Sequence, residues 1–415
     1  MTIQPFFRRT MKSFLFLALV AISIPAAHAQ ATAAHPAHPR PKQPNPQVLA
    51  AIQLEQQGRN AEAEQAWKAI SKAAPSNPEP YAHLGLLAAR ESRFDEAIAL
   101  YGKALKINPT TPGLRTNLAL AEFKAGKLKE AAADFAIVVK QPNLPPAEQQ
   151  RARILLGMAH YGLGEYKEAI EPLREAAKLD PSNLPMRLSL AQSCLWTRQL
   201  DCVLDTYKEI LLINPDSAEA DMLAGEALDE KGDNAGAVAQ FQAAVKADPK
   251  LPNVHFGLAY LLWAQKRYEE AIPEFGAELA NDSTHAQSLL YLGDTYVQLE
   301  QYDKARESLE HSLKLSDKEP LVHLDLGIVY QETGNRDAAV AELMKTIELA
   351  PDEVNAHFRL ARLYQAMGRK DEAKAEFAKA SSLNKKADKA LYERISEANA
   401  KPSQTPVATP TPPQH

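Results

Sequence analysis

A five-residue stretch decides the fold: FDEAI at 94–98 recurs as YKEAI at 166–170 and as YEEAI at 268–272. The second and third copies start 102 residues apart, which is three times 34. The first two start 72 residues apart, which is twice 34 plus a four-residue insertion. Recurrence at such a period predicts a stack of similar units, each too small to bury its own apolar face.

Setting these copies in phase divides residues 44–387 into ten units. The units are 44–77, 78–111, 112–145, 150–183, 184–217, 218–251, 252–285, 286–319, 320–353 and 354–387. Their eighth position is always Gly or Ala, and their twentieth is Ala in every unit but the fifth, which has Val203. Their twenty-fourth position is always large and apolar, from Trp67 in the first unit to Phe377 in the last. Small residues let two antiparallel helices approach closely, and the large one fills the space beside them.

Each unit contains two apolar stretches with helical spacing, and no stretch alternates as a strand would. A turn signal separates the two stretches in most units, such as Gly58, Gly126 or Gly334. Prolines such as Pro75 and Pro351 end the second stretch of many units. The pattern predicts an all-α chain of helical hairpins.

These positions together resemble the tetratricopeptide repeat family, and the resemblance covers residues 44–387. It implies a right-handed α-solenoid superhelix of tandem helix–turn–helix repeats, with the first helices lining a concave groove. Pro172 and Pro273 depart from the pattern because they fall inside second helices, which we expect them to bend or locally adjust. Residues 388–399 are expected to form a final capping helix.

The resemblance also implies which side chains face the groove, because five positions of each first helix point there in this family. The resulting candidates are Leu120, Phe123, Met158, Tyr161, Leu195, Trp196, Met222, Glu226, Asp229, Phe256, Tyr260 and Trp263. Exposed aromatic rows of this kind indicate binding of a protein or peptide segment. The alternative is that the aromatic side chains pack between adjacent first helices. The fifth position is never Lys, which argues against the family's clamp for C-terminal carboxylates.

The N-terminus has the features of a secretory signal peptide over residues 1–29. Lys12 precedes an apolar run at 14–24, and an Ala-His-Ala sequence ends at Ala29. The run is too short for a stable membrane span, so an uncleaved anchor is the weaker alternative. Translation starts at Met1 or Met11. We expect a periplasmic or secreted protein without membrane insertion, with a Pro-rich linker at 30–43 and a disordered tail at 400–415.

The sequence contains none of the common catalytic, phosphate-binding or metal-binding motifs. His255, His323 and His357 share the fourth position of their units, where packing is a better explanation than metal binding because the three lie apart along the stack. Cys194 and Cys202 form either a disulfide or two buried thiols. We therefore expect no cofactor, no metal and no enzymatic activity.

The net charge of −5, with no basic block in the repeats, argues against nucleic acid as a partner. The resemblance then favours a non-catalytic, exported scaffold that binds a protein or peptide segment in its groove. The alternative is an accessory subunit of a bacterial cell-envelope machine for assembly, secretion or polysaccharide handling.

Overall fold

The computed structural model describes residues 45–142 and 144–400, and all regular structure in these ranges is α-helical. The helices are α1 (Pro46–Gln56), α2 (Asn60–Ala73), α3 (Pro78–Arg90), α4 (Phe94–Ile107), α5 (Leu114–Lys124), α6 (Leu128–Val138), α7 (Pro146–Gly162), α8 (Tyr166–Leu179), α9 (Leu184–Trp196), α10 (Leu200–Leu211), α11 (Ala218–Glu230), α12 (Asn234–Ala247), α13 (Val254–Ala264), α14 (Tyr268–Asn281), α15 (Ala286–Gln298), α16 (Tyr302–Leu315), α17 (Pro320–Glu332), α18 (Arg336–Leu349), α19 (Val354–Ala366) and α20 (Lys370–Ala400). The expected signal peptide, the linker and the tail beyond Ala400 lie outside the described residues.

Consecutive helices pair as helical hairpins, α1 with α2 through α19 with α20. Two compact units contain them: the first ends at Ala247 and holds α1 to α12, and the second begins at Asp248 and holds α13 to α20. Within each unit, the second helix of one hairpin packs against the first helix of the next. The predicted all-α repeat fold is confirmed.

Small and large residues meet inside each hairpin. A Cβ atom added to Gly157 would lie 2.6 Å from Cγ of Leu173, and one added to Gly293 would lie 2.6 Å from Cγ of Leu309. The alanines at the twentieth position are almost completely buried. Because glycine has no Cβ, the two helix axes can approach until the large side chain touches the opposite backbone.

The turn inside each hairpin uses one backbone conformation throughout. The fifteenth residue of each unit has a left-handed φ, between 72° and 84° where it is glycine and between 57° and 60° where it is Ser92, Arg198, Lys266 or Glu300. At one such turn, the N–H of Arg267 donates to the carbonyl of Leu262 at 2.9 Å. This hydrogen bond satisfies a carbonyl that the end of a helix leaves open.

Three local features differ from the regular repeat. The four-residue insertion at 146–149 lengthens α7 by one turn at its N-terminus. α8 and α14 remain helical on both sides of Pro172 and Pro273. Residues 388–399, where a final capping helix is expected, are helical and continue α20 without a break, which makes α20 a helix of 31 residues. Lys385 occupies the place that proline fills in six of the other nine units, so no proline stops α20 there.

Candidate functional site

The twelve predicted groove residues fall into two groups in the structure. Eight are half-buried on the first helices: Leu120, Phe123, Met158, Tyr161, Trp196, Glu226, Asp229 and Trp263. Leu195, Met222, Phe256 and Tyr260 are buried, each less than a tenth exposed. For these four, an open groove position is the wrong expectation, because they fill the space between neighbouring helices.

In the first compact unit, an aromatic group lies on the first helices α7 and α9 and at the start of the second helix α8. Tyr161 donates its hydroxyl hydrogen to Oε1 of Gln192 at 2.5 Å. The ring of Trp196 stacks on that of Tyr166, with centroids 5.5 Å apart. This hydrogen bond joins the twelfth residue of one repeat to the ninth residue of the next. The rings of Trp196 and Tyr166 are both half-buried.

The next first helix, α11, ends in an acidic patch formed by Glu226, Asp229 and Glu230. Glu226 is half-buried as a residue, but its Oε1 is inaccessible to solvent and has no hydrogen-bond partner. Burial, reinforced by the charges of Glu230 and Asp229, raises the pKa of Glu226 to about 8. Arg198 approaches Oε2 of Glu230 at 3.3 Å. Leu195 is the twelfth residue of its repeat, the position that Tyr161 holds in the preceding repeat. Because a leucine side chain has no hydrogen to donate, it cannot form the corresponding hydrogen bond to Glu226.

In the second compact unit, which begins at Asp248, a larger group lies on α13, α15 and α17. We call it the aromatic–acid cluster, and it consists of Tyr260, Trp263, Tyr291, Asp294 and Asp325. The ring of Trp263 lies 4.8 Å from Tyr291 and 5.6 Å from Tyr260, centroid to centroid. Tyr260 and Tyr291 meet edge to face at 5.2 Å. Tyr260 and Tyr291 are buried, whereas Trp263 is half-buried.

The two acids of the cluster differ in their hydrogen bonds. Asp294 accepts from Nε1 of Trp263 at 2.5 Å and from Nε2 of Gln298 at 3.2 Å. Asp325 is only 2% exposed, and its Oδ2 has no hydrogen-bond partner. Burial raises the pKa of both carboxyls, and Asp294 raises that of Asp325 further, while Arg359 lowers it. The cluster therefore holds two buried carboxyl groups, both shifted toward the protonated form, close to three aromatic rings.

The three histidines at the fourth position do not converge. Nδ1 of each lies 2.6 Å from a glutamate on the second helix of the same hairpin: His255 with Glu274, His323 with Glu342, and His357 with Glu376. Arg115 and Asp134 form the corresponding pair in the third hairpin. These pairs join the two helices of a hairpin. Within the described residues, no group of three or more His, Cys, Asp or Glu side chains is arranged to hold a metal ion.

Cys194 and Cys202 form a disulfide in the structure, with Cα atoms 5.9 Å apart. The bond joins α9 to α10 across the turn of the fifth hairpin.

Comparison with known proteins identifies the repeats. Three sequence profiles of the tetratricopeptide repeat match the chain: one at residues 48–112, 116–183, 204–252 and 224–286, a second at 160–227 and 330–395, and a third at 293–334. The first of these alone covers more than half of the sequence. The chain belongs to the tetratricopeptide repeat family. Proteins of this family generally act as non-catalytic scaffolds for protein–protein interaction.

Individual tetratricopeptide relatives are distant. Protein CTR9 homolog of Arabidopsis thaliana is 24% identical over 275 residues, which are 63% of this chain and 25% of the relative. The BBSome complex member BBS4 of Bos taurus is 24% identical over 212 residues, which are 50% of this chain and 40% of the relative. The chain thus spans less than half the length of these relatives.

Solved structures with the same repeats also align. The structure of Pseudomonas aeruginosa pilF has 20% sequence identity to this chain. The alignment covers 53% of this chain and 98% of the pilF chain, with a TM-score of 0.46. MamA from Desulfovibrio magneticus RS-1 is 25% identical and covers 42% of this chain and 97% of its own, with a TM-score of 0.38.

The tetratricopeptide pattern did not reveal two of the acids described above. Asp325 stands at the sixth position of its unit, where no other unit has an acid, and this was the available sequence signal. Asp294 stands at the ninth position, which only one other unit fills with an acid, Glu226.

Among the described residues, no helix has the length and hydropathy needed to cross a bilayer.

Proposed function

We propose that this tetratricopeptide repeat protein is an exported scaffold that binds a protein or peptide segment on the surface of its first helices. The observation that carries the proposal is the aromatic–acid cluster, where half-buried Trp263 lies against two buried tyrosines beside two carboxylates. An aromatic side chain held rigidly by its neighbours, and partly open to solvent, is the kind of anchor that dominates binding energy at protein interfaces.

Two features support export. The sequence of residues 11–29 is typical of a secretory signal peptide. The disulfide between Cys194 and Cys202 is of a kind that persists in oxidising compartments and is rare in the cytosol.

The binding proposal is tested with an array of random 12-residue peptides probed with the purified protein. Trp263→Ala is expected to weaken capture by tenfold or more, since loss of an interface anchor commonly costs about 2 kcal/mol. Tyr260 is left unchanged because it is buried, and its removal would cost stability instead.

The matched control is Leu315→Ala, which removes a 43% exposed apolar side chain from α16, a second helix in the same compact unit as Trp263. Thermal melts of both variants establish whether they remain folded. Equal capture by wild type and by a folded Trp263→Ala variant would contradict the proposal for this surface, as would the absence of any captured peptide.

A further inference from the structure

The first and tenth repeats expose apolar side chains at positions that are covered in the other repeats. Phe358, the fifth residue of the tenth repeat, is 45% exposed, whereas the fifth residue of every other repeat is buried or half-buried. Leu49, the sixth residue of the first repeat, is 51% exposed, whereas the sixth residue of every other repeat is buried or half-buried. Each of the two lacks the neighbouring repeat that would cover it.

The seventh and eighth repeats show how these positions meet inside the array. Phe256 and Phe275 are the fifth and twenty-fourth residues of the seventh repeat, and Tyr291 is the sixth residue of the eighth. The ring centroid of Tyr291 lies 6.1 Å from that of Phe256 and 6.4 Å from that of Phe275. All three side chains are buried. The sixth residue of one repeat thus packs against two rings of the preceding repeat.

The tenth repeat presents the same two rings without a following repeat. Phe358 and Phe377 are its fifth and twenty-fourth residues, and their ring centroids are 5.7 Å apart, against 6.2 Å for Phe256 and Phe275. Phe377 is half-buried, whereas Phe275 is fully buried. Because α20 is a single helix as far as Ala400, its added turns do not fold back over these rings. The interface between repeats therefore continues onto an open face.

Charged residues at the two ends are complementary in the register that the array uses. Between the second and third repeats, Nζ of Lys127 at the sixteenth position lies 2.7 Å from Oδ1 of Asp95 at the eighteenth. Arg59 holds the sixteenth position of the first repeat, and Asp371 holds the eighteenth position of the tenth. Arg59 also contacts Glu62 of its own repeat, but its side chain remains 52% exposed. A first repeat placed after a tenth would bring this cation to the exposed Asp371.

We infer that copies of this chain associate head to tail, with the first repeat of one copy seated on the tenth repeat of another. Leu49 of one copy would pack against Phe358 and Phe377 of the other, as Tyr291 packs against the two rings of the seventh repeat. The contact joins two different faces, so each copy keeps one free face and further copies can add. This association is separate from the binding of a segment at the aromatic–acid cluster.

Sedimentation velocity of the purified protein tests the association. The weight-average mass of wild type should rise at least twofold between about 1 µM and about 200 µM, by mass action. Leu49→Glu and Phe358→Glu should each stay monomeric, because each places a charge in an apolar contact. The matched control is Leu315→Glu, which changes a 43% exposed side chain away from both ends and should associate like wild type.

An equimolar mixture of Leu49→Glu and Phe358→Glu distinguishes head-to-tail pairing from other arrangements. The first variant keeps an intact tenth repeat, and the second keeps an intact first repeat. The mixture should therefore form a 1:1 dimer that does not grow, because the remaining face of each copy is blocked. Pairing of like faces would not produce this rescue.

Three results would overturn the inference. Wild type could stay monomeric at about 200 µM, a folded Leu49→Glu or Phe358→Glu could associate like wild type, or the mixture could fail to dimerise although wild type associates. If either variant melts below wild type, Arg59→Asp and Asp371→Arg take their place. Each should weaken association about twofold to fivefold, and a chain with both changes should regain it. Failure of that chain to regain association would contradict the register.

Discussion

At the scale of single residues, Gly157 shows how tightly a hairpin is packed. An added Cβ would lie 2.6 Å from Cγ of Leu173 and 3.2 Å from its backbone nitrogen. Leu173 is fully buried, so it has no free space to move into. Gly276 also lies inside a helix, but an added Cβ there would meet no atom within 4 Å. The two glycines therefore have opposite expected responses to the same substitution.

Gly157→Ala should lower the free energy of unfolding by about 1–3 kcal/mol, because the extra methyl group forces α7 and α8 apart. Gly276→Ala should raise it by about 0.5–1 kcal/mol, because alanine loses less backbone entropy in a helix. Urea denaturation followed by circular dichroism measures both. Equal stabilisation by the two substitutions would show that α7 and α8 are not in such close contact.

A second residue-scale prediction concerns Glu226, whose pKa is about 8 in the folded protein and near 4.5 when the residue is exposed. The folded protein therefore holds this proton more tightly than the unfolded chain does. Glu226 adds no penalty below about pH 4.5, and it destabilises the fold progressively as the pH rises to about 8. Glu226→Gln should reduce the fall in melting temperature between pH 5 and pH 9.

The control for this measurement is Glu219→Gln, which changes an exposed glutamate on the same helix. Its pH dependence should match that of wild type. If Glu226→Gln loses as much stability as wild type over this pH range, Glu226 ionises in the folded protein as it does in water.

At the scale of helices and turns, the left-handed residue at the fifteenth position ends the first helix of each repeat. Lys266 adopts this conformation with φ 59°, which costs a residue with a Cβ atom about 1–2 kcal/mol. Lys266→Gly should therefore raise the free energy of unfolding by about 0.5–1 kcal/mol, after the larger entropy loss of glycine is subtracted.

The reverse change is available at the same position of the ninth repeat. Gly334 has φ 84°, and an added Cβ would meet no atom within 4 Å, so Gly334→Ala tests conformation alone. It should lower the free energy of unfolding by about 1 kcal/mol. Chemical denaturation of both variants measures the pair. Destabilisation by Lys266→Gly would indicate that the lysine side chain makes a stabilising contact.

At the scale of the whole molecule, export and the disulfide make a joint prediction. The mature protein should begin near Gln30 and contain no free thiol, because both cysteines are bonded to each other. Intact-mass measurement of the protein from its source cells, with and without reduction, should show a difference of about 2 Da. A chain that retains Met1 or Met11, or two titratable thiols in the native protein, would contradict export to an oxidising compartment.

The sequence by itself determined the helical hairpins, because their signals are local. Periodic small residues such as Gly157 and Ala169 mark where two helices touch, and each unit carries its own copy of that contact. The conformation of the turn is also local, although Lys266 shows that it forms without glycine. The sequence did not predict that α20 continues without a break, because Ser283 and Asp317 also replace the proline in repeats whose second helices nevertheless end.

Only the tertiary structure decided which side chains of the first helices remain open. Tyr260 and Trp263 are one turn apart on α13, yet the neighbouring α15 buries the first and leaves the second half-exposed. Sequence periodicity defines the faces of a helix, but the packing of the next helix determines which part of a face it covers. The unpaired Asp325 has the same origin, because its burial and its lack of a donor arise from side chains on other helices.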